Sequence, residues 1–157
     1  MARVRFVLTV LALTSAVTAA PVAAQSGASG VTGAAEALFP NGATFSGVTL
    51  RGLQLGQGLF IAPDGSANGQ FNAVLRGTSF LGLAQQVIVE GKVTAGSTTG
   101  NGSVTFRGTA TLTMGDGTPP MPDIPFAATV STNSLALILN ATSLPAATVT
   151  AGSITIE

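Results

Sequence analysis

The stretch Ser103-Val104-Thr105-Phe106-Arg107-Gly108-Thr109-Ala110-Thr111-Leu112-Thr113-Met114 decides the fold class. Val104, Phe106, Gly108, Ala110, Leu112 and Met114 alternate without a break with polar neighbours. A period of two over such a length is a β-strand with one buried face and one solvated face. At about 3.4 Å per residue it spans roughly 37 Å, against roughly 17–20 Å for an ordinary strand. Strands of that length coil around a barrel or bend from one sheet of a sandwich into the other. Gly108, at mid-length, marks the expected bend or bulge.

The same period extends outward in both directions. Upstream, Val87, Val89, Gly91, Val93 and Ala95 oppose Gln86, Ile88, Glu90, Lys92 and Thr94, while Phe71, Ala73 and Leu75 share another inner face. Val48 and Leu50 are in phase with each other, but beyond Gly52 the apolar positions become Leu53 and Leu55, the slip that a β-bulge produces. Downstream, Phe126, Ala128 and Val130, then Leu135, Leu137 and Leu139, give two more inner faces, and Val149 to Ile156 forms the last strand. Asn41-Gly42, Pro63-Asp64-Gly65, Asp116-Gly117 and Asn133-Ser134 supply turns, and Gly96 to Gly102 reads as a glycine-rich loop. The expectation is an all-β fold: a single, mainly antiparallel barrel or sandwich of about eight strands. For the hairpin of Ala84–Ala95 with Gly102–Met114, opposite charges directly across the ladder favour a register with Glu90 facing Arg107.

The N-terminus has the three parts of an export signal. Arg3 and Arg5 are basic, Phe6 to Leu13 is apolar, and Val22-Ala23-Ala24 offers small residues before a cut at Gln25. The expected organisation is a signal peptide over 1–24, a flexible Gly/Ser/Ala-rich arm over 25–42 and the β-domain over 43–157. The expected location is outside the cytoplasm, secreted or periplasmic, as for a bacterial exported protein. The chain has no cysteine, so export adds no disulfide and no lipid-attachment site. The girdles of Trp and Tyr that mark outer-membrane barrels are missing, so no membrane span is expected once the signal is removed.

Charged residues make up only 8% of the chain, against about 25% in ordinary domains. No basic cluster exists to neutralise phosphates, which excludes nucleic acid as a partner. A surface of Thr, Ser, Asn, Gln and Gly offers little charge repulsion, so self-association or attachment to the cell envelope is expected.

The residue inventory also removes most chemistry. Without histidine or cysteine there is no Ser-His-Asp or Cys-His catalysis and no imidazole or thiolate metal site. Asp116 and Asp123 are the only acids close in sequence, and turn chemistry in the Gly/Pro loop accounts for them in preference to a catalytic carboxylate pair. Asp64-Gly65-Ser66-Ala67-Asn68-Gly69 matches the first half of a calcium loop, but the closing carboxylate position is Leu75. No metal or cofactor is expected. The pattern apolar-any-apolar-Arg-Gly recurs at Arg51, Arg76 and Arg107, with Glu90 in a fourth, charge-reversed copy. Converging on one side of a sheet, the three guanidinium forks would bind an anion; as an exposed ladder they would only pair with neighbours. The function expected is a non-catalytic structural, adhesive or surface-interaction domain. The alternative is a closed barrel carrying a small apolar or anionic ligand, for which Phe71, Val89, Phe106 and Leu137 would line the cavity.

Overall fold

Alternating sequence becomes strand throughout. The computed structural model describes residues 27–99 and 101–157, so the expected signal peptide over 1–24 lies outside the described residues. Ten strands follow in order: β1 (Ser29–Leu38), β2 (Thr44–Phe45), β3 (Val48–Ile61), β4 (Ser66–Ser79), β5 (Ala84–Thr99), β6 (Ser103–Thr113), β7 (Met121–Val130), β8 (Ser134–Leu139), β9 (Thr142–Ser143) and β10 (Ala147–Ile156). All pairings are antiparallel.

The ladder runs from β3 through β4, β5, β6, β7 and β8 to β10, and β1 pairs with both β10 and β3. Eight strands therefore close into a ring, while β2 and β9 add short flaps on β3 and β8. Closure removes most of the free edge that an open sheet exposes to other chains. The seam is uneven. β8 meets β10 only at Ala147 opposite Leu135 and Thr148 opposite Ser134, whereas β1 is paired along its whole length to β3.

The inner face carries the apolar phase of each strand. Phe71, Phe106 and Phe126 meet at its centre, with ring centroids 5.5 Å apart for Phe71 with each of the other two and 6.3 Å for Phe106–Phe126. Tilted, stacked and edge-on contacts of this kind contribute about 0.5–1.5 kcal/mol each beyond the area they bury. Val31, Leu53, Leu75, Val87, Val89, Leu135 and Leu137 complete the surrounding wall and are buried.

Three local expectations are corrected. The arm over 25–42 is a strand from Ser29 to Leu38, inserted between β3 and β10. Its inward residues are Val31, Gly33, Ala35 and Ala37, small because the neighbouring backbones run close: a Cβ at Gly33 would stand 2.6 Å from the Ser153 carbonyl oxygen. The loop over Gly96–Gly102 is also mostly strand, since β5 continues to Thr99, which pairs with Ser103. The register of that hairpin differs as well. Glu90 lies opposite Thr111, and Arg107 lies opposite Ala95. The pairing of Thr99 with Ser103 sets the register near the loop, and an extra residue, Thr94, between Val93 and Ala95 shifts the remainder. The disturbance faces Gly108, where the missing side chain lets the Lys92 carbonyl come close. A single exposed charge pair is too weak to outweigh turn geometry and inner-face packing.

The slip at Gly52 is as the sequence indicates. The β3–β4 register shifts between Leu50 and Gly52, leaving Arg51 as the extra residue.

Candidate functional site

The three arginines do not form one site. All are exposed on the outer face. Arg76 lies opposite Gly52, so it is a ladder neighbour of Arg51 in the adjacent bulge. On its other side Arg76 faces Gln86, whereas Arg107 faces Ala95 of the same β5 strand. Nine positions of β5 separate those two points, roughly 30 Å at strand rise. Arg51 and Arg76 are brought together; Arg107 is not.

Arg107 instead shares an open cleft of about 310 Å³ with Asp64, Gly65 and Gly96, closed in part by the bond from the Gly96 amide to the Gly65 carbonyl. The Asp64 carboxylate accepts bonds from the Ser66 amide at 2.9 Å and the Ser66 hydroxyl at 2.6 Å. The hydroxyl bond first, and the amide bond second, hold its carboxyl below the usual aspartate range. That carboxylate caps its own turn, the hairpin role open to Asp-Gly from the start. Asp116 repeats the device with Thr118, accepting from the amide at 3.0 Å and the hydroxyl at 2.6 Å, with the same lowering. Asp123 sits apart in β7, in the left-handed region at φ 58°, within the bulge that it and Pro122 form opposite Thr111. Among the described residues, no group of three His, Cys, Asp or Glu side chains could hold a metal ion.

Two features lie outside the residues singled out from sequence. The first is the β4–β5 hairpin tip. Phe80, Leu81 and Leu83 are 86%, 69% and 65% exposed. The turn is fixed by its backbone: the Ser79 amide donates to the Leu83 carbonyl, the Gly82 amide to the Ser79 carbonyl, and the Leu83 amide to the Ser79 hydroxyl. Turns normally carry Gly, Asn, Asp and Ser, so an apolar Phe-Leu-Gly-Leu in this position was a readable signal. Directly behind the tip an open cleft of about 430 Å³ is lined by Arg76, Ala84, Gln86 and Ile88 among others.

The second is Gln57. It occupies the inner phase of β3, between Leu55 and Leu59, and is 8% exposed. Its partners across the ladder are Phe71 and Gly33, and neither amide atom of its side chain has a hydrogen-bond partner. An amide at an inner position in an otherwise apolar run was visible as a break in the pattern.

Comparison of the chain with protein-family models, curated proteins and solved structures finds no match.

Proposed function

We propose that the protein is a non-catalytic β-domain that acts outside the cytoplasm through contacts made by its outer surface. The observation that carries this reading is the filled interior. Phe71 and Phe106, two of the residues that would line a carrier's cavity, are packed on each other and on Phe126. Beside them a Cβ added to Gly91 would lie 2.8 Å from the Phe126 ring, so not even a methyl group fits without movement. Adhesive or structural contact then falls to the outer face, where Asn72, Gln70, Lys92, Glu90 and Thr109 are exposed. These outward side chains are polar and the interior is mostly apolar, the inverse of the pattern of a membrane-spanning barrel.

One observation favours the alternative of a ligand carrier. The unpartnered Gln57 amide is a buried polar group that a small guest could satisfy. Native mass spectrometry of protein purified from its own host tests both readings. The expected spectrum shows the polypeptide mass alone or in oligomers. A stoichiometric small molecule retained on the barrel and lost in Gln57→Leu would replace the contact reading with the carrier.

A further inference from the structure

We infer that the β4–β5 tip is a docking element for an anionic lipid bilayer, entering the apolar layer with Phe80 and Leu81 while Arg76 and Arg51 meet the headgroup phosphates. The inference rests on the surface-contact reading above and names the partner of that surface.

Four observations select this occupant. The tip is convex: Phe80 and Leu81 project from a two-strand hairpin and are the most exposed large apolar side chains described. A fluid apolar phase accepts such a shape without a matching pocket. Next, Phe80, Leu81 and Leu83 cannot together supply the roughly 800 Å² per partner that a stable protein interface buries. A second copy docked through the tip alone is therefore under-sized. Third, the polar groups lie at the right depth. Arg76 is four residues before Phe80, roughly 13 Å back along the strand, and amphipathic elements sink about 5–10 Å into the headgroup–acyl boundary. With the tip immersed, long arginine side chains reach the phosphate level by snorkelling. Fourth, the charge is complementary. Arg51 and Arg76 are neighbours on the outer face, and the cleft beside Arg76, bounded by Gln86, gives a phosphate both charge and amide donors. Asp116, which follows the Gly115 that abuts the Gln86 backbone, is engaged by Thr118 in its own turn, and the Glu36 carboxylate accepts from the Gln54 amide.

The chain has no tryptophan, so Phe80→Trp installs a single clean fluorescent reporter at the tip. Phe60→Trp, on the outer face of β3 where β3 pairs with Gly30, places the same reporter near the opposite end. Both are used in the full chain, so any lipid affinity of the N-terminal segment is common to them. With vesicles of equimolar phosphatidylcholine and phosphatidylglycerol, the Phe80→Trp emission is expected to shift to the blue and the Phe60→Trp emission to stay unchanged. Phosphatidylcholine alone is expected to give a weaker response, and Arg51→Gln with Arg76→Gln to remove the difference between the two lipids. In co-sedimentation, Phe80→Ser with Leu81→Ser, both at exposed positions, is expected to lower association with the anionic vesicles roughly tenfold or more. An unshifted Phe80→Trp reporter, equal binding by the serine variant, or a full response to inorganic phosphate without vesicles overturns the inference. If lipid binding fails but tip-dependent self-association is seen by sedimentation, the contact reading survives with a second copy as its partner. If neither lipid, self-association nor cell-envelope binding is seen, the contact reading falls with it.

Discussion

Gln57 shows how one side chain can set the balance of the barrel interior. Its amide is buried among apolar neighbours with both polar atoms unpartnered, a situation that costs about 1–3 kcal/mol relative to a solvated or paired amide. Gln57→Leu keeps most of the volume and removes the orphaned groups. It is expected to raise the free energy of unfolding by about 1–2 kcal/mol, read from the midpoint of urea denaturation. A loss of stability would show instead that the amide is satisfied by a guest or an ordered water. The two turn aspartates act in the opposite sense, by gaining partners. Asp64 and Asp116 have carboxyls held low by Ser66 and Thr118, so each prefers its ionised form more in the folded chain than in the unfolded one. Their contribution is complete above the ordinary aspartate range and is lost as pH falls through the lowered folded value. The melting temperature should be flat with respect to these groups near neutrality and drop below about pH 4. Asp64→Asn with Asp116→Asn should flatten that drop. Both carboxylates are fully exposed, so the effect is small.

Among the elements, β6 and the β5–β6 hairpin divide what could be read from what could not. Every large residue of β6 alternates, and its boundaries as a strand, Ser103 to Thr113, fall within one residue of the sequence pattern. The hairpin register was not legible, because Ala95-Gly96-Ser97-Thr98-Thr99 has no large apolar residue to mark which phase faces in. Without that mark, the sequence does not reveal that the bulge sits at Thr94. The same blindness hid β1, whose inward glycine and alanines look like a linker until the close approach of Ser153 explains them. For the candidate site, the arginine pattern was legible while its convergence was not, since only the pairing across β3 and β4 brings Arg51 beside Arg76. The cysteine-free chain permits a direct test of register. Glu90→Cys with Thr111→Cys should form a disulfide under mild oxidation, because the two positions are directly opposed. Glu90→Cys with Arg107→Cys should remain reduced under the same conditions, as judged by thiol labelling.

At the scale of the whole molecule, the ring draws together segments far apart in sequence. Gly30 and Glu157 exchange two backbone hydrogen bonds, donor to acceptor distances 3.2 Å and 2.9 Å, so the two ends of the described chain leave the barrel side by side. β1 and β10 thereby close what β3 to β8 begin, and the small side chains of β1 matter as much as the phenylalanines. Gly91→Ala should demonstrate the tightness of the interior, since the added methyl must displace the Phe126 ring. A loss of about 1–3 kcal/mol of unfolding free energy is expected, with unchanged secondary structure by circular dichroism.

That side-by-side exit has a mechanical meaning. Tension applied between the N- and C-terminal strands pulls β1 from β10 at the end where Val31 faces Ile156, breaking the ladder one bond after another like a zip. Tension between those strands and the Phe80 tip runs along the β3–β4 ladder instead, because the tip follows Ser79 while Ile61, at the other end of that ladder, faces Ser29. Load in that direction is shared by many hydrogen bonds at once. In single-molecule pulling, handles at Gly82 and Glu157 should therefore require a higher rupture force than handles at Gly27 and Glu157. A domain anchored at its ends and gripping at its tip would be loaded along the stronger axis.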